Sequence, residues 1–463
     1  MIRLYDSARA AVAPLEPRDA GRVSIYLCGP TVYDLPHLGH GRHALVWDVL
    51  RRWLTFTGLQ VRFVSNITDI DDKIIARADA EHVGEEAITA TYEAAWWAAL
   101  DALGVARPDE APHATAYVEA MVDLIEELVD RDVAYELDDG VYFDVSSVTD
   151  YGLLAGQSLE SLRSGARVET NLLKRSPLDF ALWKNAKFGE PSWASPFGPG
   201  RPGWHTECVV MSLGLLGDGF DIHDGGLDLK FPHHENERAQ AVALGRHFAS
   251  HWVHHGWVMV GEEKMSKSLG NFTSLTDLLA QTDARAYRLL VLRSHYRSPI
   301  EVSPATMKDA ERALARLDAL ARRFELDPLA GATLEVAASV EWREEGRALY
   351  DVVAAAMEND LDTPAAVAVL FEALTRANAL ADEGDEHRAR SLAEAVAACF
   401  AGLGLRLVAA EAALDDESAD LVARRDQARS ARDWASADRY RDELVTLGWI
   451  VEDGPTGTVV RRG

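Results

Sequence analysis

The sequence predicts an α/β multidomain protein: a parallel sheet split by an insertion, then an α-helical bundle and a small C-terminal module. Three observations carry this prediction. Short apolar runs ending in Gly/Pro or polar loops flank a helix-length stretch, a strand–helix–strand order that requires parallel pairing. Between about 107 and 196 that pattern gives way to short alternating runs and a Pro/Gly/Ser/Trp-rich stretch. From about 305 to 405 the chain is rich in Ala, Leu, Arg and Glu at helical spacing.

In chain order, Val23–Cys28 reads as a buried strand stopped by Gly29-Pro30. A helix follows from about Gly41 to Phe56, with Leu45, Val49, Leu50, Trp53 and Leu54 on one face and Gly58 as its stop. Leu59–Val64 is the next strand, and the polar loop Asn66–Asp72 falls at its C-terminal end, where such sheets bind ligands. The insertion opens with a helix at Val118–Val129, continues through a strand at Val141–Val145 and closes at Gly189–Gly203. The sheet resumes at Phe220–His223, with a helix from His233 and a strand around Trp252–Val260. The last module has a basic amphipathic helix from Arg424 to Leu444 and a turn-and-strand piece from Gly448 to Arg462. The expected units are 1–106 and 197–262 (the two sheet halves), 107–196 (the insertion), 263–308, 309–405 (the bundle) and 406–463.

At 463 residues about three domains are expected, and 48% hydrophobic residues supply their cores. Three cysteines (Cys28, Cys208, Cys399) argue against a disulfide framework and for a reducing cytoplasm. No apolar run reaches the ~18 residues of a membrane span, so a soluble cytoplasmic protein is expected. The net charge of −27 opposes nucleic-acid binding in bulk, but it is uneven. Residues 311–416 hold 21 acidic side chains against 10 Arg, while 417–463 hold 9 acidic against 8 basic.

Two short motifs carry the chemistry. His37-Leu38-Gly39-His40 lies between a strand and a helix, where backbone N–H groups favour anions and two imidazoles can donate to phosphate oxygens. Gly39 would let a flat ring approach the backbone. Lys264-Met265-Ser266-Lys267-Ser268 sits in a polar loop between Gly261 and Gly270. Two lysines within four positions stand out in a chain with only eight, and they suit charge building on a phosphate. Cys28, Cys208, His233 and Glu237 offer two thiolates, an imidazole and a carboxylate, a donor set that suits zinc although no CxxC spacing marks it. Cys399, in an Ala-rich helix, reads as an ordinary buried cysteine.

The run from Cys28 to His40 resembles the signature of class I aminoacyl-tRNA synthetases, and of the cysteinyl-tRNA synthetase family in particular. So do Asn66-Ile-Thr-Asp-Ile-Asp-Asp-Lys73, Gly203–Cys208, Phe231–Glu237 and Lys264–Asn271, and the likeness runs to the Glu452–Gly457 stretch. The resemblance implies a Rossmann catalytic domain, a stem-contact region around the lysine loop and a C-terminal anticodon-binding module. It implies one zinc on Cys28, Cys208, His233 and Glu237, and catalytic or ATP-contacting roles for His37, Gly39, His40, Lys264 and Lys267. Gly29, Thr68, Trp204 and Asp228 would line a cysteine pocket. Asp224-Gly225-Gly226-Leu227-Asp228 departs from the family's glycine-richer loop at Asp224 and Leu227.

The implied reaction is attack of the L-cysteine carboxylate on the α-phosphate of ATP, with Mg²⁺ on the pyrophosphate, then acyl transfer to tRNA(Cys). Zinc would read the substrate thiolate against serine, a discrimination that an ordinary pocket makes poorly. A monomer is the family's expectation. The related ligase that joins cysteine to an amino-sugar–inositol acceptor, in mycothiol synthesis, would share this site without needing an RNA-reading module. A non-catalytic zinc-dependent cysteine-binding protein would have lost the histidines or lysines, which are intact. Arg424, Arg425, Arg429, Arg432, Arg439 and Arg441, with Trp434 and Trp449, suit single-stranded bases by charge and stacking.

Overall fold

The computed structural model describes residues 2–158, 173–259, 274–326, 342–409, 415–447, 449–454 and 457–462. Lys264–Ser268 therefore lie outside the described residues. The strands are β1 (Arg3–Asp6), β2 (Ala11–Pro14), β3 (Arg22–Leu27), β4 (Gln60–Ser65), β5 (Ala134–Leu137), β6 (Gly140–Phe143), β7 (Phe180–Asn185), β8 (Gly200–Pro202), β9 (Ile222–Gly226), β10 (His251–His255), β11 (Val258–Met259), β12 (Ile300–Glu301), β13 (Trp449–Gly454) and β14 (Gly457–Arg462). The α-helices are α1 (Leu38–Phe56), α2 (Asp72–Glu81), α3 (Glu85–Ala102), α4 (Val118–Asp130), α5 (Trp204–Leu216), α6 (Glu235–Ala243), α7 (Leu275–Gln281), α8 (Ala284–Leu292), α9 (Pro304–Arg323), α10 (Glu344–Glu358), α11 (Thr363–Asp382), α12 (Glu386–Gly402), α13 (Asp416–Ser430) and α14 (Trp434–Thr446).

The central sheet is parallel in the order β10-β9-β3-β4. Strand order reverses between β3 and β9, β4 being added on one side and β9 and β10 on the other, and the crevice above such a switch point is where α/β sheets take ligands. The segment carrying His37–His40 follows β3 there, and the predicted polar loop Asn66–Asp72 leaves the neighbouring β4. The insertion forms its own antiparallel sheet, β5-β6-β7-β8. One apolar core joins the α1 face of the central sheet to α8–α12, and a second joins the α5–α6 face to the insertion.

Where element limits differ from expectation, short polar signals explain it. α1 begins at Leu38 rather than about Gly41, because the His37 and His40 rings cap its first turn reciprocally. The expected strand Trp252–Val260 breaks at Gly256, where a Cβ would lie 2.6–2.7 Å from the Ser298 and Arg297 carbonyl oxygens. The expected helix Arg424–Leu444 is two helices. Arg432 turns left-handed at φ 59°, and the Asp433 carboxylate caps α14 by accepting from the Ser436 N–H.

The catalytic half is tied to the bundle by buried charge. Asp48 on α1 accepts from Arg52 at 2.8 Å and from Arg288 on α8 at 2.6 Å. Arg288 also donates to the Leu103 and Gly104 carbonyls at 3.1 Å and to Leu403, just past α12, at 3.4 Å.

Candidate active site

A cavity of about 540 Å³ opens above the C-terminal ends of the central strands, lined among others by Cys28, His37, His40, Trp204, Asp228 and Trp257. The part of its lining that carries His37 and His40 is made in one helical turn. The His40 N–H donates to His37 Nδ1 at 3.2 Å, the His37 N–H donates to His40 Nδ1 at 3.3 Å, and the rings stack with centroids 3.7 Å apart. Each Nδ1 accepts a backbone hydrogen, so the proton of each neutral ring resides on Nε2. Burial lowers both pKa values, that of His40 to about 3 with His37 as the next cause. The pair is therefore two uncharged N–H donors. Gly39 is required beneath them, because a Cβ there would meet the His37 ring at 2.9 Å.

A buried cluster drawn from three segments reaches the cavity through Cys28. Cys28 Sγ lies 3.5 Å from Cys208 Sγ and 3.6 Å from Glu237 Oε1. Cys208 Sγ lies 3.7 Å from His233 Nε2, which is 3.0 Å from Glu237 Oε1. Tetrahedral zinc, with bonds of about 2.3 Å to sulfur and about 2.0–2.1 Å to nitrogen or oxygen, would set its ligands about 3.3–3.8 Å apart. The cluster already has nearly these edges. Each hard ligand is also oriented from behind: His205 Nδ1 meets His233 Nδ1 at 2.8 Å, and His223 Nε2 meets Glu237 Oε2 at 2.6 Å. Against the cost of burial, His223 and His233 hold the Glu237 carboxyl well below its usual range. Burial also opposes ionisation of both thiols. Contacts with Cys28 and His233 nevertheless bring Cys208 down to about 6, while Cys28 stays well raised.

A second grouping, Cys28, His223, His234 and Glu237, also brings its donor atoms within 4.8 Å of one another. Its His223 is already hydrogen-bonded to Glu237, and its His234 Nδ1 meets His254 Nε2 at 2.9 Å. The first grouping offers two soft sulfurs and meets its outer histidines through the far atoms of His233 and Glu237, so it fits zinc better.

Comparison with known proteins agrees with this geometry. The profile described as tRNA synthetases class I (C) catalytic domain matches residues 14–312, a DALR domain matches 352–408, and a cysteinyl-tRNA ligase anticodon binding domain matches 411–461. The chain is 46% identical to the cysteine–tRNA ligase of Alkalilimnicola ehrlichii and 45% identical to that of Halorhodospira halophila, with 100% of each chain covered. The chain belongs to the cysteinyl-tRNA ligase family of class I aminoacyl-tRNA synthetases. Its fold is that of the class. A Mycobacterium tuberculosis methionyl-tRNA synthetase in complex with methionyl-adenylate superposes at TM-score 0.58, with 16% identity and 83% and 90% of the two chains covered. A leucyl enzyme from Agrobacterium radiobacter, in a ternary complex, gives TM-score 0.59 at 12% identity, with 84% of each chain covered.

Within this family member the remaining pocket residues take distinct places. Trp204 lies flat on His233, with centroids 3.9 Å apart and planes 14° apart, so it covers the cluster from the cavity side. Asp228 lines the cavity and acts electrostatically on His37. Gly29 donates its N–H to Asn66 Oδ1 at 2.8 Å, and a Cβ there would collide with the Asn66 carbonyl oxygen at 1.7 Å. Thr68 is not on the cavity surface. It is buried, and its hydroxyl donates to Glu207 Oε2 at 2.9 Å, a partner for a carboxyl that burial pushes well up. The Asp224 departure also lies away from the cavity. Asp224 pairs with Leu27 and Val253 across the sheet, and without a side-chain hydrogen-bond partner among the described residues its carboxyl is pushed well up by burial.

Sequence reasoning missed His205 and His223 as orienting partners and His234 as an alternative ligand. Their only signal was proximity to the chosen residues, in Trp204-His205 and in His233-His234. In the C-terminal module it misjudged two side chains. Trp449 is buried, with its indole N–H donating to Ser418 Oγ at 2.7 Å, and Arg425 is buried against Thr458 at 2.6 Å. Neither is free to stack on a base, whereas Trp434 is 59% exposed.

Proposed function

We propose that this chain joins L-cysteine to ATP to form cysteinyl-adenylate and pyrophosphate, then passes the acyl group to the 3′ end of tRNA(Cys). The observation that carries the reading is a single cavity lined by a capped histidine pair and by Cys28, the member through which a thiol–imidazole–carboxylate cluster reaches it. His37 and His40 donate Nε2–H to phosphate oxygens at the α-phosphate, where negative charge builds during attack. Gly39 clears the space in which the adenosine lies. Lys264 and Lys267, which follow β11 in sequence, bring positive charge to the departing pyrophosphate together with Mg²⁺. Cys28, Cys208, His233 and Glu237 hold one zinc, which when bound prefers a thiolate to an alcohol. Trp204 shields that cluster and, with Asp228 and Gly29, orients the substrate's amino acid group. Little proton transfer is demanded of the protein; positioning suffices.

The family match at 411–461 supports an anticodon module at 406–463, with the bundle at 309–405 as its spacer. We assign a monomer acting in the cytoplasm; no helix among the described residues is long and apolar enough to cross a membrane. The deciding experiment is transfer of labelled cysteine to bacterial tRNA with ATP and Mg²⁺, with excess serine as competitor. Charging that ignores serine is expected. Cysteine-dependent pyrophosphate exchange without charging would instead move the reading to the small-molecule ligase.

A further inference from the structure

The two signature histidines are neutral donors, so they bring no permanent charge to a triphosphate carrying several negative charges. Among the described residues lining the cavity there is one permanent cation, Lys73. It sits on the first turn of α2, exposed, with Nζ 5.1 Å from the centroid of Tyr33, another cavity residue. The acids around it in the run Asp69–Lys73 are all engaged elsewhere. Asp69 accepts from the Thr115 N–H and hydroxyl at 2.9 and 2.5 Å, and Asp71 caps the helix through the Lys73 N–H at 2.9 Å. Asp72 turns away to Lys184 at 2.7 Å and to Arg201 across the insertion. The ammonium group is left without an ion-pair partner among the described residues, close enough to act electrostatically on His40.

An ammonium on the wall of a cavity, without an ion-pair partner among the described residues and with the acids of its own run engaged elsewhere, matches what a polyphosphate requires. We infer that Lys73 is a phosphate-binding residue of the activation step, contacting the polyphosphate of ATP from the α2 side of the cavity. Its role is electrostatic. It binds the charged end of ATP and offsets the negative charge that grows as pyrophosphate leaves. The inference rests on the adenylation reading above, so the test begins with the unmodified protein.

The experiment is cysteine-dependent ATP–pyrophosphate exchange without tRNA, for the wild-type chain, Lys73→Met and Lys73→Arg. Methionine keeps the length of an exposed side chain and removes only the charge, so thermal unfolding and the KM for cysteine are expected to stay unchanged. The kcat/KM for ATP is expected to fall by on the order of 10²-fold in Lys73→Met and to be largely recovered in Lys73→Arg. Exchange by Lys73→Met within about twofold of wild type would overturn the inference, being far short of that cost. Intact exchange with slowed single-turnover transfer to tRNA would also overturn it, because the lysine would then serve the RNA end. A wild-type chain with no exchange at all would defeat the adenylation reading itself, a result distinguishable from both.

Discussion

The two walls of the cavity are built in opposite ways. The histidine wall is local: four consecutive residues, held by backbone contacts of 3.2–3.3 Å within one turn. The thiol wall is assembled at long range, with Cys28 and Glu237 separated by 209 positions and every member buried. On the local wall the fold needs only a cap, and the chemistry needs only the outward Nε2–H. On the long-range wall the same atoms serve both fold and chemistry, so no substitution separates the two.

That difference is open to test, beginning where the effect is largest. Cys208→Ser is expected to reduce zinc to trace levels and to lower cysteine-dependent exchange by more than about 10²-fold, beyond the loss of a mere outer partner. Cys399→Ser, in the bundle, should leave metal content untouched; metal analysis with full zinc in Cys208→Ser would dissolve the thiol wall. His37→Asn keeps a good helix cap while removing the ring donor. Exchange is expected to fall by on the order of 10²-fold, with stability kept within about 0.5 kcal/mol. A large loss of stability would mean that the local wall is not separable after all.

The same contrast recurs in the C-terminal module. Removing the exposed ring with Trp434→Ala is expected to weaken tRNA binding by about 1–3 kcal/mol without changing exchange. Trp449→Phe should instead cost about 1–2 kcal/mol of stability, because it strands the buried Ser418 hydroxyl. Equal effects on tRNA binding would erase the distinction between them.

The smallest expected effect is on pH dependence. Burial lowers the His254 pKa to about 3, below its ordinary 6.5, so the unfolded chain binds the extra proton first. Stability from this group is complete above about pH 6.5 and lost as pH falls towards 3. Between pH 6.5 and 5.5 it declines by about 1 kcal/mol. Urea titrations in which His254→Gln shows the same slope as wild type would contradict this.

Legibility in the sequence follows the same division. The local wall could be read directly, because His37–His40 is contiguous and flanked by a strand and a helix. The Asp433–Ser436 cap was equally local but overlooked, and one helix was read where two stand. The thiol wall could be read only as a donor inventory, since nothing in spacing alone brings residues 28, 208 and 233 together; a family resemblance supplied the grouping. Burial was the hardest to foresee. Thr68, Trp449 and Arg425 have the chemistry of contact residues, but long-range packing turns each towards an interior partner.

The Asp48–Arg288 pairing has a consequence for how such enzymes can be recombined. Grafting another relative's bundle onto this catalytic half would import a new neighbour at Leu403 and Gly404. A side chain at the latter would strike the Arg288 guanidinium, 2.2 Å from where its Cβ would stand. If the graft unseats that guanidinium, Asp48 loses a buried partner, at a cost of about 3–5 kcal/mol. Donor bundles that carry glycine at position 404 should give folded chimaeras with this Asp48–Arg288 pair, and others should not. Exchange of parts among these proteins is thus licensed by an ion pair and a glycine that do not line the cavity.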